Sequence, residues 1–165
     1  MPILQPNSLE YISRSAEQTR RVGMRLGAHL RQGDLICLNG ELGSGKTTLV
    51  QGIAAGWGSL DAVSSPTFVL VNVYRRPGEQ NFFHLDAYRL GSALEAEDLD
   101  LDSLLEAGPM VVEWAERIQA ALPPENLEIR LKTVNQDQRD LLVIARGPRN
   151  IALLGSFQRQ VYGAR

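Results

Sequence analysis

A chain of 165 residues fits one domain with a single core. Its 44% hydrophobic and 22% charged residues match an ordinary globular protein, and a formal net charge of −2 excludes a global field drawing it onto nucleic acid or an anionic membrane. The one cysteine, Cys37, supports neither an internal disulfide nor a zinc site, and within Leu35-Ile36-Cys37-Leu38 it reads as a buried small hydrophobe. No apolar stretch approaches the ~18–20 residues that span a bilayer, and the first residues lack a positive start followed by an apolar core. The expectation is a soluble, cytoplasmic protein.

No repeat, low-complexity tract or composition break divides the chain, so one domain is expected over residues 1–150, with a C-terminal helix and tail over 151–165. Leu9 to Arg14 reads as a strand. Ser15-Ala16-Glu17-Gln18 is a capping box opening a helix to about Leu30. Asp34 to Asn39 is a buried strand, and Lys46 to Trp57 has a helical pattern. Thr67 to Tyr74 and Asn81 to Leu85, around the turn Arg76-Pro77-Gly78-Glu79, form an antiparallel hairpin. A second capping box, Ser92-Ala93-Leu94-Glu95, starts an acidic helix ending near Gly108. Met110 to Glu113 is a strand, followed by a helical stretch to Leu122. Leu127 to Lys132 and Leu141 to Arg146 are strands around a polar turn, and Ile151 to Gln158 is a final helix before a loose tail. Strands alternating with helices, plus hairpins, give an α/β sandwich with a mostly parallel central sheet and added antiparallel strands.

Gly40-Glu41-Leu42-Gly43-Ser44-Gly45-Lys46-Thr47 satisfies G-x-x-x-x-G-K-[ST]. Glycines let successive backbone N–H groups turn inward onto phosphate oxygens, and the following helix adds its positive dipole end. In such loops the lysine reaches the β- and γ-phosphates, and the hydroxyl after it ligates magnesium. Four fixed positions arise by accident in roughly half a percent of chains this long. Here an apolar strand precedes the loop and a helix follows it, which is the setting phosphate binding requires.

Such a site needs an acidic residue at the end of a neighbouring strand. Phe82-Phe83-His84-Leu85-Asp86 and Met110-Val111-Val112-Glu113 both supply one. From residue type alone, either acid serves magnesium while the other orients or activates water. Thr67, in Ser64-Ser65-Pro66-Thr67-Phe68, is either a switch residue or part of a strand-start turn. His84 reads as a core or supporting residue rather than a base, Trp114 as core or a neighbour of the nucleotide, and Arg75-Arg76 at a hairpin tip, with Arg117, as solvated arginines or a contact for RNA or a partner. Guanine-reading N-K-x-D is absent from the sequence, which points away from GTP. A kinase and a nucleotide-gated binding module are the competing classes.

The ordered set Gly40 to Thr48, Ser65-Pro66-Thr67-Phe68, His84-Leu85-Asp86-Ala87-Tyr88-Arg89-Leu90 and Val112-Glu113-Trp114 resembles the bacterial tRNA threonylcarbamoyladenosine biosynthesis ATPases, the TsaE (YjeE) family. The resemblance runs from about Leu9 to Arg146. It implies a P-loop NTPase fold of three layers, with Gly43, Ser44, Gly45, Lys46, Thr47 and Thr48 binding ATP. It also implies that Thr47 and Glu113 hold Mg²⁺, with Asp86 beside the γ-phosphate as a catalytic or magnesium-shell residue and Thr67 in the switch segment. Members are expected to hydrolyse ATP slowly, in company with the TsaB–TsaD pair that modifies adenosine 37 of tRNAs reading ANN codons. Contact with tRNA would be indirect.

Overall fold

The computed structural model describes residues 7–64 and 71–162. Seven strands form one sheet: β1 (Ser8–Ser13), β2 (Leu35–Gly40), β3 (Val71–Arg76), β4 (Gln80–Asp86), β5 (Met110–Glu113), β6 (Leu127–Thr133) and β7 (Arg139–Ala145), in the order β1-β7-β6-β2-β5-β4-β3. The central four, β6-β2-β5-β4, run parallel. β1, β7 and β3 add antiparallel pairings at the edges, as the sequence led us to expect.

Both faces of the sheet are covered at β2, β4 and β5, which are therefore near-continuous apolar runs, whereas β6 alternates Leu127, Ile129 and Leu131 with Glu128, Arg130 and Lys132. Ile36 and Leu38 of β2 point into one core with helices α1 (Ala16–Gly27), α2 (Lys46–Trp57) and α5 (Pro148–Tyr162). Leu35 and Cys37 point into a second core beneath α3 (Ala93–Glu97), α4 (Leu101–Ala107) and a 3-10 segment over Ala115–Ala121. This is a three-layer sandwich. Cys37 is buried and unpaired, and burial first, then Glu128, pushes its thiol up to about 12, so it behaves as the apolar group expected. No described helix is long and apolar enough to cross a membrane.

Several boundaries shift for local reasons. Ser15 caps α1 through the Gln18 N–H, but the Gln18 side chain reaches the N–H of Arg14, one residue before the cap. Ser92 and Glu95 repeat this arrangement, with Glu95 accepting from Gly91. The acidic helix expected over Ser92 to Gly108 is two helices, broken where Asp100 takes a left-handed backbone (φ +50°) and its carboxylate accepts from Ser103. The last helix begins at Pro148, where a proline costs no helical bond, and runs to Tyr162. The tail is therefore helical through that residue, and Leu153, Leu154 and Phe157 sit in the larger core. The first half of the expected Thr67 to Tyr74 strand lies outside the described residues.

The helix carrying the phosphate loop is set by backbone contact. Gly23 and Gly27 of α1 face Leu49 and Ile53 of α2, while Gly52 and Gly56 of α2 face Arg20 and Met24 of α1. A Cβ on Gly52 would stand 2.0 Å from the Arg20 carbonyl oxygen, and one on Gly56 would stand 1.9 Å from that of Met24. Only hydrogen fits at these positions, so the two helices approach more closely than side chains permit.

Candidate nucleotide site

β2 ends at Gly40 and α2 begins at Lys46, with the phosphate loop between them. Gly43 (φ +79°) and Gly45 (φ +100°) both occupy the left-handed region, where a side chain would be strained. Gly40 fits for a different reason: a Cβ there would lie 2.6 Å from Ser44 Oγ and 2.7 Å from the Leu131 carbonyl oxygen. Thr47 and Thr48, in the first turn of α2, are half-buried.

Lys46 is buried inside its own loop. Its ammonium donates to the carbonyls of Gly40 (2.6 Å) and Glu41 (2.9 Å), and to Ser44 Oγ at 3.4 Å. Burial lowers its pKa, opposed by the negative charges of Glu113, Asp86, Glu116 and Glu41. The ring of Trp114 covers the ammonium, 4.2 Å from its centroid. Trp114 itself is strained (φ +58°), and it packs on Tyr88 at 5.1 Å with the Arg117 guanidinium against both rings. A non-glycine residue in that backbone region persists only where its surroundings hold it.

Both predicted acids are brought to this place. Asp86 pairs in register with Glu113 across β4 and β5, and Glu113 with Leu38 across β5 and β2. The two carboxylates thus end adjacent parallel strands beside the strand that feeds the loop, at the carboxyl edge where open α/β sheets bind ligands. Asp86 accepts the Tyr88 N–H at 2.9 Å, capping the 3-10 turn at Ala87–Arg89. Burial raises its pKa, and Glu113 raises it further against the opposing pull of that N–H, His84 and Lys46. Glu113 is 3% exposed and bonds His84 through Oε2 at 2.6 Å. Thr47 in the first turn of α2 and the buried Glu113 are hard-oxygen groups of the kind that magnesium takes together with phosphate oxygens and water.

Lys46, Asp86 and Glu113 therefore converge, while Thr67 lies outside the described residues. Three contributors escaped sequence reasoning: Asn39, Arg139 and Tyr74. Asn39 accepts the Glu116 N–H (3.0 Å) and donates to Glu128 (2.9 Å), joining β2 to the 3-10 segment. Arg139 donates to the Gly43 carbonyl at 3.3 Å from β7, and Tyr74 reaches His84 from β3. Arg75 is solvated as expected while forking onto Asp61, and Arg76 is partly buried, lying over Trp57 and donating to its carbonyl. Trp114, which its place directly after a strand-terminal acid marks as core or a neighbour of the nucleotide, stands beside the loop lysine.

Residues 13–141 match the sequence model of the threonylcarbamoyl adenosine biosynthesis protein TsaE. The chain belongs to the TsaE family. This TsaE-family chain is 46% identical over 123 residues to the tRNA threonylcarbamoyladenosine biosynthesis protein TsaE of Streptomyces coelicolor, covering 73% of this chain and 83% of that protein. It is 37% identical to the Bacillus subtilis TsaE over 152 residues, covering 92% and 94% of the two chains. The crystal structure of Bacillus subtilis YdiB has the same fold, with a TM-score of 0.78 at 30% identity over 93% of this chain and 96% of that one. The TsaE-family fold is thus the three-layer sandwich described above.

Proposed function

We propose that this protein is a magnesium-dependent ATPase of the cytoplasm, accessory to the TsaB–TsaD pair in making threonylcarbamoyladenosine on tRNA. The observation that supports it most is the convergence of Lys46 with two strand-terminal carboxylates at a complete phosphate loop, within a chain of the TsaE family.

The backbone of Gly43, Ser44 and Gly45 cradles the phosphates, and Lys46 balances their charge. Lys46 is held by the loop carbonyls and the Trp114 ring, and binding phosphate exchanges some of these hydrogen bonds for bonds to phosphate oxygens. Thr48 adds to the phosphate contacts at the helix start. Thr47 and Glu113 hold magnesium, which when bound neutralises charge on the phosphate oxygens. Asp86 keeps Oδ1 on the Tyr88 N–H and uses Oδ2 to orient the attacking water. Thr67 lies in the switch segment of this reading.

The deciding experiment is phosphate release from Mg-ATP, with and without TsaB–TsaD and with GTP alongside. Slow ATP-preferring release, raised by the partners and abolished by Lys46→Ala, is the expected result. No release under either condition would overturn the reading.

A further inference from the structure

His84 has no exposed surface, yet it is polar at both ends of its ring. Nε2–H donates to Glu113 Oε2 at 2.6 Å, and Nδ1 lies 2.9 Å from Tyr74 Oη. With Nδ1 accepting, it takes the one proton of the Tyr74 hydroxyl, and Asn72 Nδ2 donates both to Tyr74 Oη at 3.4 Å and to the Ser64 carbonyl at 2.9 Å. β5 and β4 supply one group each, β3 supplies Tyr74 and Asn72, and the segment after α2 supplies the Ser64 carbonyl. Phe82 and Phe83 precede His84 in the same strand, so packing alone would be served by another apolar ring. A buried imidazole is tolerated only when both nitrogens are paired, and here each is paired to a specific side chain.

That pairing has two consequences. With both nitrogens engaged and no exposed surface, His84 cannot serve as a base for water. It can, however, hold a carboxylate still. A glutamate at a strand end has three rotatable bonds, and engaging Oε2 removes that freedom while leaving Oε1 outside the bond. Buried partners of this kind orient ligand groups and tune their affinity.

We propose that His84, held from behind by Tyr74, is the positioning residue for Glu113, fixing its carboxylate so that Oε1 is presented to magnesium-nucleotide. This rests on the reading of Glu113 as the magnesium-side carboxylate. Asn72, two residues before Tyr74 in β3, holds the Ser64 carbonyl beside this cluster.

The test compares wild type with His84→Leu, His84→Gln, Tyr74→Phe and Glu113→Ala. The main readout is the gain in ADP affinity when Mg²⁺ replaces EDTA, measured by calorimetry. His84→Leu is expected to cut that gain about 10- to 100-fold while leaving affinity in EDTA within about twofold. His84→Gln, which keeps a donor, recovers part of it, and Tyr74→Phe loses severalfold less. In nucleotide-free protein, a downfield imidazole N–H resonance is expected in the wild type and absent in Glu113→Ala. A wild-type gain in folded His84→Leu overturns the proposal, as does an equal loss with and without Mg²⁺. If His84→Leu does not fold, an unchanged gain in both His84→Gln and Tyr74→Phe overturns it instead. A wild-type gain in Glu113→Ala overturns the reading of Glu113 itself. Loss in Glu113→Ala with none in the His84 variants overturns only the role of His84.

Discussion

Gly27 of α1 meets Ile53 of α2 so closely that a Cβ at position 27 would stand 2.0 Å from the Ile53 carbonyl oxygen. The obstacle is backbone, which cannot swing aside. Because α2 begins with Lys46 and Thr47, this contact fixes the height and tilt of the phosphate loop over the sheet.

Gly27→Ala is therefore expected to destabilise the fold by about 3 kcal/mol, at the upper end of overpacking costs. Gly155→Ala is the control. It lies in α5 with nothing nearer than Arg159 Nη1 at 3.6 Å, so its better helix propensity should stabilise by about 0.5–1 kcal/mol. Urea unfolding of both variants checks the pair, and equal midpoints would refute the close contact.

Arg149 of α5 forks onto Asp34, just before β2, at 3.0 and 2.8 Å and also donates to the His29 carbonyl at 2.8 Å. Asp34 is buried, so removing the arginine strands its charge. Arg149→Met should cost about 2–4 kcal/mol, and adding Asp34→Asn should recover part of that. Denaturant midpoints of the two single variants and the double variant decide it.

Burial by itself raises Glu128, but hydrogen bonds from Arg130, Arg146 and Asn39 outweigh it and hold the carboxyl at about 2. The folded pKa lies below the ordinary value of 4.5, so the pairing contributes stability above pH 4.5 that is lost as pH falls towards 2. Both arginines are substantially exposed, so the contribution is screened to about 1–2 kcal/mol. Wild type should lose stability faster than Glu128→Gln between pH 5 and pH 3 in thermal scans, and parallel losses would contradict the assignment.

At the phosphate loop, Lys46→Ala should abolish measurable turnover. Glu113→Ala should remove most of the magnesium dependence of nucleotide binding. Asp86→Ala should spare binding while lowering phosphate release about 100-fold or more, the scale of a lost water-orienting group. Single-turnover kinetics with parallel binding assays separate these three patterns, and wild-type rates in all of them would remove the site assignment.

What the sequence determined by itself is local. The phosphate loop is legible because two of its glycines must be left-handed and a third must admit neighbouring atoms, leaving few residue types possible. Strand β2 is legible because burial on both faces demands an unbroken apolar run, Leu35 to Leu38. The caps at Ser15 and Ser92 are read within four residues. Even the resemblance that named the acids rested on short strings.

What only the tertiary structure decided is which distant groups meet. His84 and Glu113 are 29 residues apart, Arg149 and Asp34 are 115 apart, and Gly27 faces a helix two elements on. These meetings follow from the strand order β1-β7-β6-β2-β5-β4-β3, which places chain-distant strands side by side. Local propensity fixes the period and ends of an element. The choice of neighbour is settled by which arrangement buries both sheet faces and pairs every buried polar group at once, a condition on the whole chain.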